Sequence, residues 1–414
     1  MAENPNLPRE YDAVLGAQVV SSPDAAVLGG LAAVKRRLVS PIIQQRILAL
    51  SDTLKYGKAG LELAIEFLKD ESEEIRQAAC GVLQENPQLP GVLKALWTYR
   101  PTSLKILDRH SGYVTAIAFS QDGKHLFSGG ELGKIIVWDL QQGQVIRTLK
   151  RHCTWVCSLI SNLDKKTLIS GSCDQTISVW DWQTGEEVRS LIEYPQSIPE
   201  IATHTKHPAR IISVTISRDG QTLVSGTQGK TITIWNLKTG RKIQNFTVKG
   251  HHNYITRIAL SPDGQTLATG GGFHDRTIKI WHLQTGEEIR TLQPHPGGEV
   301  TALTFTPDGK TLVSGSYDRT VKVWNWQTGE EIHSLVGHQN WVTSLALSFD
   351  GKIIVSGSWD GTVKLWDLET GEEICTLGKY SGRYANVIAS VNISPDGKTV
   401  VSGDRNGIIK VWSV

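Results

Sequence analysis

Residues 306–331 read TPDGKTLVSGSYDRTVKVWNWQTGEE, a strand, a turn, a second strand and a second turn. Asp308-Gly309 is a hairpin-turn dipeptide, because a tight turn needs positive φ and glycine supplies it without a Cβ clash. Thr311–Ser314 and Thr320–Trp324 alternate as half-buried strands do. Ser316–Arg319 turns the chain between them, and Gln327-Thr328-Gly329 turns it out again. A unit of this kind cannot bury its own faces, so its meaning depends on how often it recurs and whether the series closes.

It recurs seven times. The equivalents of Trp324 are Trp138, Trp180, Trp235, Trp281, Trp366 and Trp412, with successive spacings of 42, 55, 46, 43, 42 and 46. The hairpin turns recur at Asp122-Gly123, Asp164-Lys165, Asp219-Gly220, Asp263-Gly264, Asp350-Gly351 and Asp396-Gly397. The seventh unit stops at Val414, just after its third strand. SLKILDRH at 103–110 matches EIHSLVGH at 331–338 in frame, so Ser103–Leu107 is expected to supply the missing fourth strand and close a ring without an open edge.

Composition fits a repeat array: 13 Trp and 40 Gly stand against seven Phe and one Met in 414 residues. A net charge of +2 gives no case for nucleic acid or an anionic membrane as main partner. No signal peptide or membrane span is visible, and five irregularly placed Cys form no disulfide framework, so a cytoplasmic protein is expected.

Residues 1–22 are polar and read as a loose tail or strap; 23–100 then read as helical. Asp24 is placed to cap AAVLGGLAAVKRRL. Pro41 suits the first turn of a helix with Ile43, Ile47, Leu50 and Leu54 on one face, and Gly57 is placed to stop it. Beyond Asp70, Ser72 with Ile75, Ala79 and Leu83 gives a cap and an apolar stripe, and a last short helix spans about Gly91–Trp97. DESEEIRQAACGVL, with its acidic start and small Ala78-Ala79, resembles a HEAT repeat. The whole arrangement is similar to the module that precedes WD repeats in some cyanobacterial proteins, which implies a bacterial origin.

From about residue 101 to 414 the repeats resemble the WD40 family. The resemblance implies a mainly β fold: a seven-bladed propeller of four strands per blade, preceded here by the small all-α HEAT-like domain. It also implies a hydrogen-bonded tetrad of loop His, strand Ser or Thr, turn Asp and Trp in each blade, which pairs an indole N–H and an imidazole that would otherwise be buried unsatisfied. Four blades carry the full set: His152, Ser170, Asp174, Trp180; His251, Thr269, Asp275, Trp281; His295, Ser314, Asp318, Trp324; and His338, Ser356, Asp360, Trp366. Blade one has Leu132 where Asp belongs, blade three has Gly229 with His207 as its loop His, and blade seven has Asn406 and no clear His. These blades are expected to be less rigid.

Strand order puts the d–a and b–c connections on one end, called the top in this family. The sequence irregularities gather there: the insertions at 193–207, 297–298 and 379–387, and GGGFHD at 270–275. The bottom TGEE turns, from Thr184, Thr285, Thr328 and Thr370, stay uniform and read as a solvated acidic rim, with a basic partner as the alternative. Variable loops on one face of a repeat array mark a binding face. The family's top positions are Tyr113 and Glu131, Trp155 and Cys173, Arg210 and Gln228, Tyr254 and His274, Glu299 and Tyr317, Trp341 and Trp359, and Arg405. Of these, Tyr113, Trp155, Arg210, Tyr254, His274, Tyr317, Trp341, Trp359 and Arg405 are the expected contact residues, of the types that anchor protein interfaces. The alternative is that they pack on neighbouring loops. Strand d runs from bottom to top, so the helical domain is expected to join the bottom rim and leave the top free, a bivalent connector.

His152, Cys153, Cys157 and Cys173 gather in blade two, with Cys153 and Cys173 able to approach, but their spacing matches no zinc motif. No phosphate loop, GxSxG or dinucleotide fingerprint occurs. The expectation is a non-catalytic scaffold or adaptor for proteins or peptides, without cofactor or metal, monomeric alone or within a larger complex. A constitutive subunit of a large complex is the alternative, and an enzyme or metal-dependent activity on the loops a weaker one.

Overall fold

The computed structural model describes residues 23–99, 103–108, 110–164, 166–192, 210–252, 254–293, 295–378 and 387–414. The expected tail at 1–22, most of the insertions at 193–207 and 379–387, and His207 lie outside the described residues. The chain forms two compact units, 1–92 and 93–414.

The first unit holds helices α1 (Pro23–Leu38), α2 (Ile43–Thr53), α3 (Gly57–Glu66) and α4 (Glu73–Gln84). Asp24 falls inside α1 rather than before it, because Pro23, whose fixed φ suits a first helical position, already begins the helix. Gly57 ends the turn after α2 with φ 58°. Ser72 occupies the cap position of α4 with extended backbone but makes no side-chain cap bond; its N–H instead donates to Asp70 Oδ1 at 2.9 Å. The stripe Ile75, Ala79 and Leu83 is fully buried. In α2 the expected stripe is only half realised. The buried face is Ala49, Leu50 and Thr53, while Ile43, the first residue of the helix, is 37% exposed.

The second unit starts within α5 (Val92–Tyr99). Trp97 is fully buried and its Nε1–H donates to the carbonyl of Gly397 at 2.9 Å. Lys94 pairs with Asp367 at 2.9 Å. Both partners lie at the bottom ends of propeller blades, so from Leu93 onward this helix is part of the propeller body.

Seven four-stranded antiparallel sheets follow. In blade five the strands are Val300–Phe305, Thr311–Ser316, Thr320–Asn325 and Glu330–Val336, with Leu312 opposite Trp324. The seventh sheet is completed by Ser103–Asp108, which pairs antiparallel with Ile408–Ser413 and sets Leu104 opposite Trp412. The first strand of the unit thus closes on the last.

Blades touch because the repeated Ser-Gly of the second strand is short. At Gly315 an added Cβ would sit 2.7 Å from Val342 Cγ1 of the next blade, and at Gly403 it would sit 2.4 Å from Val114 Cγ1 across the ring closure. Apolar side chains fill the junctions: Phe127, Val137 and Leu149 of blade one pack with Val156, Leu168 and Trp180 of blade two, and Val401 and Ile409 of blade seven with Val114 and Trp138 of blade one.

The bottom is latched blade to blade. Fourth-strand side chains donate to carbonyls of the next blade's outer turn: Arg147 to Gln183, Arg189 to Lys238 and Thr239, Gln244 to Gln284, and Lys105 to Leu140 and Gln141. The second glutamate of each TGEE is engaged within its own blade. Glu288, Glu331 and Glu373 pair with Lys279, Lys322 and Lys364, and Glu187 accepts from Ser178. Half of the acidic rim is therefore spent on strand pairing.

Candidate functional site

The tetrads fix the top loops. In blade five Trp324 Nε1–H donates to Ser314 Oγ at 3.0 Å, Ser314 Oγ is 2.9 Å from His295 Nε2, and His295 Nδ1 is 2.8 Å from Asp318 Oδ2. Only one proton order satisfies every member: indole to hydroxyl, hydroxyl to Nε2, and Nδ1–H to carboxylate. The other Asp318 oxygen accepts from the backbone and hydroxyl of Thr320. The same geometry holds for His152, Ser170, Asp174 and Trp180, and for His338, Ser356, Asp360 and Trp366. It also holds for His251, Thr269, Asp275 and Trp281, with Thr269 as the hydroxyl. Burial works against the Asp318 carboxylate, but the hydrogen bonds from His295 and Thr320 outweigh it and hold the carboxyl below the usual range. Blade one keeps His110, Ser128 and Trp138 in line, and blade three keeps Trp235 on Ser225.

Each tetrad ties a d–a loop to a b–c turn, so the side chain just before the Asp is set firmly at the top. In blade five that residue is Tyr317, in a turn tight enough to put Arg319 at φ 75°. Here six blades build one belt. Trp155 meets Tyr113 edge-on at 6.0 Å. The Arg405 guanidinium lies over both Tyr113, at 5.2 Å, and Trp359, at 4.4 Å. Trp359 meets Trp341 at 4.5 Å, and Trp341 stacks on Tyr317 at 4.2 Å. Tyr254 donates its hydroxyl to Glu299 Oε2 at 2.9 Å, and Tyr317 turns to the same carboxylate. Burial first, and then Glu299, push both phenols up to about 12.

The belt rims a cavity of about 370 Å³ at the top of the central channel. Tyr113, Trp155, Arg210, Tyr254, Tyr317, Trp359 and Arg405 line it, together with Cys173, Gln228 and Glu299. Trp341 stands behind Tyr317 and Trp359 and joins them. His274 is not brought to the cavity; it is exposed and meets Phe273 edge-on. The packing alternative is thus partly realised: these side chains pack, but on one another around an open mouth.

Sequence reasoning missed two features. The thiol that approaches Cys173 is Cys157, at 2.8 Å, and not Cys153, because a register shift between Val156 and Ser158 turns Cys157 toward the turn. Cys157 donating to Cys173 lowers the Cys173 thiol and raises that of Cys157. The second is Arg257. Two residues beyond the first-strand leader, the blades carry Ala116, Ser158, Ser213, Arg257, Ala302, Ser344 and Ser390, and only blade four places a charge there. That sevenfold comparison was available in the sequence. One residue earlier, Thr115, Thr256, Thr301 and Thr343 each donate to the first strand of the next blade. Among the described residues no group of three or more His, Cys, Asp or Glu is placed to hold a metal ion.

The pattern of the WD domain, G-beta repeat, matches at 101–139, 143–181, 199–236, 242–282, 286–325, 329–367 and 374–413, one match per blade. The chain belongs to the WD40 repeat family. It is 33% identical over 76 residues to the small ribosomal subunit protein RACK1y of Oryza sativa, 16% of this chain and 23% of that protein. It is 32% identical over 170 residues to the target of rapamycin complex subunit wat1 of Schizosaccharomyces pombe, 40% of this chain and 50% of that one. An uncharacterised WD repeat-containing protein of Synechocystis is 30% identical over 101 residues, 24% of this chain and 28% of that protein. The chain thus spans at most half the length of these curated relatives. No described helix is long and apolar enough to cross a membrane.

Proposed function

We propose that this WD40 chain is a non-catalytic scaffold that holds protein or peptide partners on the top of its propeller, through the belt formed by Tyr113, Trp155, Tyr254, Tyr317, Trp341, Trp359 and Arg405. The observation that carries the reading is the continuity of that belt around an open cavity. Aromatic and arginine side chains held in place before binding lose little conformational freedom when a partner arrives, and such residues dominate interface energies. The tetrads absorb His152, His251, His295 and His338 with their Asp partners, which leaves those residues no catalytic task. The helical unit, HEAT-like in sequence, serves as a second module, and the two together make a bivalent connector. Five cysteines without a disulfide support a cytoplasmic setting, and the cyanobacterial relative supports a bacterial origin.

Affinity capture with the intact chain, followed by identification of what is held, tests the proposal: partners bound at the top are lost when Trp341 and Trp359 are changed to Ala. A second reading, a permanent subunit of a large assembly, is favoured by two relatives whose names make them parts of complexes. Gel filtration of native extract separates the two, since a permanent subunit leaves no free pool.

A further inference from the structure

The channel below the belt holds a cation that the belt does not use. Arg257 borders both the mouth cavity and a deeper one of about 270 Å³ in the channel. In the other six blades this position is Ala or Ser, so the fold does not need an arginine there. Among the described residues the guanidinium makes one hydrogen bond, from Nη1 to the carbonyl of Thr256 at 2.9 Å, and no ion pair. A guanidinium carries five donors and stays charged, so most of its capacity is unspent.

The charge balance of the mouth points the same way. Arg210, Arg257 and Arg405 line it against the single carboxylate of Glu299, and Glu299 already accepts a hydrogen bond from Tyr254. Arg405 is held over Trp359 and Tyr113, and Arg210 lines the mouth alone, whereas Arg257 also borders the deeper cavity. A mouth of about 370 Å³ admits side chains of a partner. A lone guanidinium fork matches a carboxylate in a bidentate pair, and Glu299 nearby disfavours a dianion.

We infer that Arg257 is an anion anchor at the foot of the mouth, and that the partner is an acidic peptide segment with one Asp or Glu side chain reaching down the axis while its flanks lie on the aromatic belt. This rests on the reading of the top as a protein-binding surface.

The test uses the full chain and an array of ten-residue peptides with mixed flanks and a fixed central Glu, Gln, phosphoserine or Lys. Glu-centred peptides are expected to bind at least about tenfold more tightly than Gln-centred ones, a gap that shrinks with added salt. Arg257→Ser, which installs the residue that four other blades carry, abolishes the gap without unfolding the ring; Arg257→Lys keeps part of it. Equal binding of Glu and Gln centres, a gap that survives Arg257→Ser, preference for phosphoserine or Lys, or no binding at all overturns the inference. Charge-blind binding that is still lost in Trp341→Ala/Trp359→Ala removes the anchor and leaves the binding face standing; binding indifferent to that double change removes the face itself.

Discussion

The phenol of Tyr317 lies on the indole of Trp341, with centroids 4.2 Å apart and planes 20° from parallel. One residue belongs to the b–c turn of blade five and the other to the loop that enters blade six. Tyr317 is held there by its neighbour Asp318, whose carboxylate is bonded to His295. The structural tetrad and the binding belt are thus consecutive residues, and disturbing the first is expected to loosen the second.

Asp318→Ala is expected to cost about 1–3 kcal/mol, because it leaves the buried His295 Nδ1–H with only the longer contact to Thr320 Oγ1 at 3.3 Å. Chemical denaturation measures it. An unchanged unfolding midpoint contradicts the role given to the tetrad.

Blade one predicts a pH dependence. Burial first, with Lys134 adding to it, lowers the His110 pKa from 6.5 to about 4, since Leu132 stands where an aspartate would face it. The unfolded chain therefore binds the proton more readily. Stability from this site is complete above pH 6.5 and falls as pH drops toward 4, by about 3 kcal/mol in all. Leu132→Asp supplies the missing acceptor and is expected to raise the His110 pKa and stabilise the fold by about 1 kcal/mol at neutral pH. NMR titration of His110 with and without the substitution checks both; an unmoved pKa rejects the assignment.

Gly403→Ala places a methyl against Val114 where the ring closes. Overpacking of this kind costs about 1–3 kcal/mol. Thermal unfolding of Gly403→Ala should therefore start at a lower temperature than wild type, and equal curves would show that the closure is slack.

Thiol reactivity follows the blade-two geometry. Cys153 is exposed, and Cys173 is activated by the Cys157 thiol that donates to it, while burial and Glu373 push Cys375 up to about 12. Iodoacetamide is expected to label Cys153 and Cys173 before Cys157 and Cys375. Peptide mass mapping reads the order. Cys157 labelled ahead of Cys173 reverses the donor assignment.

The seven-bladed ring was legible because the blades repeat the same short-range chemistry: a turn glycine in six of the seven, the Ser-Gly or Thr-Gly that accepts the next blade's branched side chain, and the tryptophan whose N–H needs Ser314 or its equivalent. The top positions of the belt were also legible, one blade at a time. Their contacts were not. Whether Trp341 meets Tyr317, or Arg405 spans Tyr113 and Trp359, depends on the curvature of the ring, which brings together residues far apart in sequence. Cys157 was missed because a single-residue bulge reverses which side chain faces the turn. His274 failed to join because GGGFHD, two residues longer than the other tetrad-bearing b–c turns, leaves its side chain exposed.

The central claim is that the belt at the top holds a partner. It is tested by comparing partner capture by wild type and by Trp341→Ala/Trp359→Ala at equal concentrations, with thermal unfolding measured on both. The double change removes two ring contacts and the Arg405–Trp359 cation–π contact, each worth about 0.5–1.5 kcal/mol, so the midpoint should fall by no more than about 5–10 °C. Captured partner is predicted to drop at least about tenfold, as loss of central aromatic anchors does elsewhere. Undiminished capture by a folded double variant would contradict the account.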